Sequence, residues 1–566
     1  MKEKIDYKIK EVLKDLGIIE NNFSIEHPSD FKNGDYSTNV AMICAKKMGI
    51  NPRDLAEKIV MILRENQDKF PEIQEIQVAG AGFINFYLDR KFFSNKIKEI
   101  LEKGDNWGKN LIGNNKKVIV EYSSPNIAKP FTVGHLRSTI IGDSIARILT
   151  FSQFDVIRDN HLGDWGTQFG KLIVAIREWG NIEEIEKSEK PINMLVDLYV
   201  RFHNEAEIDP TFEDEARASF ARLEKKDEEA ISIWKKCIEI SKKEFERIYK
   251  KLDITPFDTM YGESFFEDKM KVVIDEIKEK NIGKESEGAF IIEFSEDKKL
   301  SPLLLLKKDG SSLYGLRDLA ADKWRRNEYG SDIKIINEVG VEQSEYFKQI
   351  FETEVMLGYF KQGERIHVAH GLYRFPDGKM STRKGNVIWL EDIINEAEKR
   401  AGLINEETKE IVAIGAIKFN DLKRDSLKDI IFNWEEILNI KGDSGTYLQY
   451  TAVRANSILE KATESNIDYK KFSSLENEIP EVVTDLEKLI YQFEEIVKYS
   501  GETLQPHHIA TYLINLASTF NTFYGNTKIL DENNKFTLYQ LSLVKAFYQT
   551  MKNGLWLLGI EVPKKM

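Results

Sequence analysis

The spacing of apolar residues changes several times along the chain, and each change marks an element. Ile5, Ile9, Leu13 and Leu16 recur at helical spacing among charged residues, so MKEKIDYKIKEVLKDLG is predicted to be an amphipathic helix stopped by Gly17. A second helix is predicted from NPRDLAEKIVMILREN, with Asn51 as N-cap and Pro52 at the first helical position. IQVAGAGFINFYL then reads as strand, tight glycine turn and strand, followed by a helix through Leu101. GDNWGKNLIGNNKK has the composition of a linker. Beyond it VIVEYS is a β-branched strand, SPNIAKPFTVG a loop, and Leu136, Ile140, Ile141, Ile145, Ile148 and Leu149 outline a helix. FDVIRDN is a second strand, making a βαβ unit whose strands should be parallel. Residues 171–255 are charge-rich and helical in pattern. The β pattern returns in GAFIIEF, PLLLLKKDG and IKIINEVG, which are expected to complete the same sheet. From about Leu390 to the end the pattern is helical.

The predicted fold is therefore multidomain: an N-terminal α+β domain over 1–105, an α/β core with a parallel sheet over 106–395 carrying a helical insertion at about 175–255, and an all-α helical bundle over 396–566. With 566 residues, 42% of them hydrophobic, the chain has ample material for packed cores. The N-terminal helix carries acidic residues and reads as neither a secretory signal nor a transit peptide, and no apolar run is long enough to span a bilayer. Two distant cysteines, Cys44 and Cys237, argue against a disulfide framework and a thiolate zinc site, so the cytoplasm is the expected compartment and no protein metal site is predicted. A formal charge of −13 argues against a protein that coats nucleic acid, yet leaves room for a local basic surface facing one folded RNA.

Candidate chemistry sits where the loop after VIVEYS empties into the helix. The first turn of a helix offers unpaired N–H groups and the positive end of its dipole, which suits a phosphate. Gly134 allows close approach there, and His135 is placed to point at the same ligand. Taken alone, VGH is equally a strand-to-helix turn with a capping histidine. No GxGxxG follows a strand and no Walker A pattern occurs, which removes the main support for dinucleotide and P-loop readings. A second cluster, GKMSTRKGNVI at 378–388, gathers Lys379, Ser381, Thr382, Arg383 and Lys384 between glycines; alone it is a solvated basic turn.

SSPNIAKPFTVGHLRST resembles the HIGH signature of class I aminoacyl-tRNA synthetases in the extended form found in arginyl-tRNA synthetases, and HLGDWGTQFG at 161–170 resembles the segment that follows it there. GKMSTRKGNVI resembles the second signature, KMSKS. The resemblance implies a Rossmann-like catalytic core that joins arginine to tRNA(Arg) at the expense of ATP, with Mg2+ arriving on the nucleotide. It implies ATP contacts from Thr132, Gly134, His135, Lys379, Met380, Ser381 and Arg383, with His135, Lys379 and Arg383 in catalysis. Arginine falls to Asn126, Glu263 of YGES, Tyr314 and Asp318 of LYGLRD, and Gln343 of VEQSEYF. In TYLQYTAVRAN, the residues Tyr447, Gln449, Tyr450 and Arg454 are candidates for tRNA contact. By the same resemblance the N-terminal domain meets the tRNA elbow, adenylate formation needs bound tRNA, and the protein is a monomer.

Two departures matter. Thr132 stands where the family has the first signature histidine, which removes one imidazole donor, although a hydroxyl can still donate to a phosphate. The insertion is too short and too helical for an editing domain. Two rivals are another enzyme of the same superfamily and a tRNA-binding paralogue that lost the chemistry. Glu263 with Asp318 argues against the first, and His135, Lys379 and Arg383 against the second.

Overall fold

The computed structural model describes residues 1–65, 70–374, 389–403, 405–439, 442–467, 478–531 and 533–566. These fall into two compact units, Met1–Trp107 with Arg454–Glu494 and Asn515–Asn553, and Gly108–Val453 with Glu495–Ile514 and Gly554–Met566.

In the first unit, helix α1 (Lys2–Asp15) buries Ile5, Ile9, Val12 and Leu13, and Gly17 at φ 69° closes it. Strands β1 (Ile25–Glu26) and β2 (Tyr36–Thr38), helices α2 (Val40–Met48) and α3 (Pro52–Glu65), strands β3 (Ile73–Ala79) and β4 (Phe83–Leu88) and helix α4 (Arg90–Lys103) follow. The strands form an antiparallel sheet in the order β1-β2-β4-β3, with one face covered by the helices through a shared apolar core. Gly82, at φ 124°, has no room for a side chain, because a Cβ would lie 2.9 Å from the Pro52 carbonyl oxygen. Residues far along the chain complete this unit: Glu487 pairs with Arg90 at 2.6 Å, Lys488 with Asp35 at 3.0 Å, and the Tyr491 hydroxyl meets that of Tyr36 at 2.6 Å.

The second unit holds the predicted βαβ element, β5 (Lys117–Glu121), α5 (Val133–Phe151) and β6 (Asp155–Asp159), with parallel strands. Helices α6 (Thr167–Trp179), α7 (Ile182–Lys187), α8 (Pro191–Ile208), α9 (Thr211–Glu224) and α10 (Glu228–Lys251) form the insertion, and α11 (Met270–Glu279) leads back to the core. The expected single sheet is corrected here. Strands β7 (Gly283–Ser286), β8 (Ala289–Ile292) and β9 (Leu303–Leu306) form their own antiparallel sheet, because Glu287 and Gly288, at φ 51° and 85°, close a two-residue hairpin that parallel pairing cannot use. After α12 (Tyr314–Tyr329), β10 (Lys334–Gly340) joins β5 as expected. Helix α13 (Ser344–Leu357) then leads to β11 (Arg365–His370), giving the parallel order β11-β10-β5-β6. The helical remainder comprises α14 (Leu390–Gly402), α15 (Lys409–Leu422) and α16 (Trp434–Ile437), which belong to this unit, and α17 (Gly445–Glu464), α18 (Asp485–Thr503), α19 (His507–Asn526) and α20 (Thr537–Leu557), whose residues are divided between the two units. No helix among the described residues is long and apolar enough to cross a membrane.

A buried ion network ties this sheet to its helices. Arg325 reaches Glu121 at 2.6 Å, Asp159 at 2.5 Å and Asp322 at 2.8 Å, while Arg365 shares Asp322 at 2.5 Å, pairs with Glu354 and donates to Asn337 Oδ1 at 2.9 Å. Asp322 is thus common to both guanidiniums. Asp322→Ala leaves both short of a buried partner, a loss worth about 3–5 kcal/mol, and is expected to lower the melting midpoint by about 5–15 °C in a thermal scan.

Candidate active site

Strands β5 and β10 are neighbours in the sheet, yet the chain leaves β5 through α5 toward β6 on the opposite side. Such a switch of direction opens a crevice at the carboxyl ends of the strands, the usual ligand site of an open parallel sheet. The loop leaving β5 lies there and is held in a demanding conformation. Ser123, Ser124 and Ala128 have φ of 73°, 43° and 57°. Their amides are fixed by side chains: Ser123 N–H donates to Ser138 Oγ at 3.0 Å, Ser124 N–H to Asn160 Oδ1 at 3.1 Å, and Ala128 N–H to Ser241 Oγ at 2.9 Å.

The loop delivers Thr132 as N-cap of α5, with Gly134 exposed in the first turn. The Thr132 N–H donates to His135 Nδ1 at 3.1 Å, and the Thr132 hydroxyl lies 3.1 Å from the same nitrogen. A nitrogen that accepts a backbone N–H carries no proton, so the imidazole proton sits on Nε2. Burial, with the Lys129 ammonium adding to it, pushes the imidazole down to about 4. His135 is therefore a neutral donor at the positive end of a helix. The Thr132 hydroxyl, expected as a phosphate donor, is engaged with His135 in this structure.

Behind this end, α5 is buried on nearly every face. Gly142 permits direct packing on the sheet, since a Cβ there would sit 2.2 Å from Tyr122 Cβ. Arg137 anchors the helix to the end of α15 and the chain after it by donating to Asp421 Oδ1 at 3.2 Å and to the carbonyls of Ser426 and Lys428 at 3.1 and 2.8 Å.

The crevice continues along 160–164, which pairs with 259–263: Leu162 N–H donates to Tyr261 O, and Glu263 N–H to Leu162 O, each at 3.0 Å. Gly262 is required in YGES because a Cβ would overlap the Asp164 carboxylate at 2.0 Å. That carboxylate in turn accepts from Ser264 N–H at 2.8 Å and Ser264 Oγ at 2.7 Å. Glu263 is thereby placed beside Arg317, with Oε2 accepting from Nη1 at 3.1 Å. Burial outweighs that guanidinium, and with the charges of Asp318 and Asp164 it raises the Glu263 carboxyl to about 7. Asp318, on α12, accepts from the Tyr346 hydroxyl, and burial raises its carboxyl as well. Two carboxyls thus share a poorly solvated pocket. Asn126 joins it from the β5 loop through a bridge to Gly163, where a Cβ would lie 2.3 Å from Asn126 Oδ1. Tyr314, one helical turn before Asp318, and Gln343, just after β10, are both exposed.

Models of three families match successive parts of the chain: the arginyl tRNA synthetase N-terminal domain over residues 3–88, the class I (R) tRNA synthetase catalytic domain over 96–434, and the DALR anticodon binding domain over 448–566. The chain belongs to the arginyl-tRNA synthetase family. Arginine--tRNA ligase of Clostridium botulinum is 42% identical over 99% of this chain and all of its own length, and that of Fusobacterium nucleatum 40% identical over 94% and 93%. Among solved structures, the arginyl-tRNA synthetase of Plasmodium falciparum superposes with TM-score 0.84 at 27% identity, covering 100% and 99% of the two chains. The Thermus thermophilus enzyme, at 23% identity and TM-score 0.79 over both full chains, shares the fold.

A class I synthetase catalytic domain implies ATP as a substrate, and the first turn at Gly134 is open, since a Cβ there would meet only Thr132 Oγ1 at 3.5 Å. Among the described residues no cluster of His, Cys, Asp or Glu could hold a metal ion. Lys379, Met380, Ser381 and Arg383 lie outside the described residues. In the C-terminal helices, Tyr447, Tyr450 and Arg454 share α17 and are partly buried, with Arg454 donating to Asn521 Oδ1 at 2.6 Å. The expectation for Gln449 needs correction. Its side chain is fully buried and donates to Ile411 O at 3.1 Å and Glu561 O at 2.8 Å, so it holds backbone together and is not presented to a ligand. The sequence reading did not include Arg317 and Tyr346, which orient the two carboxyls. Arg317 is adjacent to Asp318 in LYGLRD and Tyr346 follows Gln343 in VEQSEYF, but neither motif reveals a partner across the pocket.

Proposed function

We propose that the enzyme activates L-arginine with ATP and transfers the arginyl group to tRNA(Arg) through the residues of this crevice. The observation that carries the reading is the pair Glu263 and Asp318, half-buried and close enough for the Asp318 charge to raise the Glu263 carboxyl, in the crevice that also holds the α5 terminus with the neutral His135. A planar cation matches two carboxyls better than a compact ammonium does. Asn126 holds the amino-acid end, and Tyr314 and Gln343 close on the substrate from the exposed rim. A substrate carboxylate oxygen then bonds to the α-phosphorus of ATP as the bond to diphosphate breaks. His135 Nε2–H and the α5 amides stabilise the charge gathering on the phosphate oxygens. In the second step a ribose hydroxyl of the terminal adenosine attacks the acyl carbon and AMP leaves.

Lys379, Met380, Ser381 and Arg383 complete the nucleotide site by resemblance to the second signature, with Mg2+ carried in on ATP. Residues 1–105 meet the tRNA elbow, 106–395 catalyse, and 396–566 read the anticodon arm, with Tyr447, Tyr450 and Arg454 among the contacts. The enzyme works as a cytoplasmic monomer, and bound tRNA is needed for adenylate formation. Because a site built to satisfy a guanidinium leaves buried groups unpaired with lysine, selectivity needs no editing domain, in keeping with the helical insertion. The test is exchange of labelled diphosphate into ATP with arginine or lysine, with and without tRNA(Arg). Exchange that requires arginine and tRNA together is expected; exchange driven by lysine, or none at all, contradicts the assignment.

The state of Glu263 adds a pH dependence. A carboxyl at about 7 is partly protonated near neutrality and must ionise fully to meet a guanidinium, so arginine binding releases a proton. Because its folded value is raised, protonated Glu263 favours folding in acid, and that contribution is lost as the pH climbs through about 7. KM for arginine is expected to rise about tenfold between pH ~8 and pH ~6, and Glu263→Gln to flatten that slope at a higher KM throughout.

A further inference from the structure

His161, in the strand extension between Asn160 and Leu162, has no part in the mechanism above. Its two ring nitrogens are both buried, and neither has a hydrogen-bond partner among the described residues. A buried polar group left unmatched is costly and uncommon, and an imidazole with both nitrogens in that condition needs an explanation. The ring is held in place: it stacks on Phe266 with centroids 5.6 Å apart and planes 21° from parallel. Backbone bonds on either side fix it further, since Asn160 N–H donates to Thr259 O and Leu162 N–H to Tyr261 O, each at 3.0 Å. The same pairing carries Glu263, and His161 lies within electrostatic range of both Glu263 and Asp318.

A count of acceptors shows what such a ring could supply. A guanidinium brings five N–H donors. Glu263 Oε2 already accepts from Arg317 and Asp318 Oδ2 from Tyr346, so one oxygen of each carboxyl is engaged. An imidazole nitrogen that carries no proton is one further acceptor for those five donors. We infer that His161 is a binding residue of the same pocket, one ring nitrogen accepting an N–H of the bound guanidinium beside Glu263 and Asp318, so that it selects arginine over lysine. This rests on the reading that the arginine side chain lies against those two carboxyls.

The test measures diphosphate exchange with arginine and with lysine for His161→Phe, His161→Gln and His161→Asn, with Asp318→Asn alongside. Phenylalanine keeps the stack on Phe266 without an acceptor, and is expected to raise KM for arginine about tenfold to a hundredfold while KM for ATP stays within about twofold. Asparagine places an amide near Nδ1 and glutamine near Nε2, so one of the two should recover most of the loss and identify the nitrogen. His161→Met serves as the acceptor-poor variant if the phenylalanine form does not fold. An unchanged arginine KM in the acceptor-poor variant, with Asp318→Asn impaired, overturns the role of His161. An unchanged KM in Asp318→Asn overturns the pocket reading itself.

Discussion

Substituting asparagine for Asp318 is expected to lower kcat/KM for arginine by about 100-fold to 1,000-fold while KM for ATP stays within about twofold. The size follows from burial. Asp318 sits in a site that disfavours its ionised form, which the nearby His161 and the hydrogen bond from the Tyr346 hydroxyl offset only in part. A guanidinium that enters supplies the missing charge, so the pair forms where water screens it little. Asparagine keeps the shape and can still accept from Tyr346, which confines the change to the charge. Glu263→Gln should cost less at neutral pH, because Arg317 already offsets part of the Glu263 charge and burial leaves it partly protonated. Initial rates of diphosphate exchange across arginine concentrations decide the point. A loss of only a few fold in Asp318→Asn means that the guanidinium lies elsewhere.

The apolar pattern revealed the parts of the fold it encodes. Leu136, Ile140, Ile141, Ile145, Ile148 and Leu149 are all buried on α5, and the two flanking strands pair in parallel. The same pattern misled at GAFIIEF, because a strand's composition does not state its partner. The Glu287–Gly288 turn was the available sign that this strand pairs with the one just before it. RIHVAH carries a charged residue and two histidines among its apolar positions, so composition alone does not mark it as the buried strand it forms. Arg365 is buried there because Asp322 and Glu354 meet it from two helices, a pairing that no local window contains. Arg137 and Arg325 were hidden for the same reason. At the site, the motifs single out Asn126, His135, Glu263 and Asp318 as candidates, but the contacts that surround them are long-range. Arg317 beside Glu263, Tyr346 beside Asp318 and the unpartnered ring of His161 emerge only once the chain has folded. Gln449 shows the converse: a polar residue in a promising motif can be buried, with its amide nitrogen committed to backbone carbonyls.

His135→Ala is expected to lower kcat for diphosphate exchange by about 100-fold to 1,000-fold, the usual cost of losing one preorganised donor to a developing charge. Asparagine at the same position should recover little, since its amide is too short to reach where Nε2 stands. Thr132 bears on the same step through a different route. Its hydroxyl lies 3.1 Å from His135 Nδ1, a nitrogen that already accepts the Thr132 N–H and therefore holds no proton, so the hydroxyl is the donor between them. Thr132→Val removes that bond but keeps the backbone one, which preserves the tautomer and loosens only the ring's orientation. The expected loss in kcat is about threefold to tenfold. If Thr132 acts through His135, adding Thr132→Val to His135→Ala should cost nothing more. If it donates to a phosphate independently, the two losses should multiply. The double-mutant cycle thus separates a threonine that orients the remaining histidine from one that replaces the missing one.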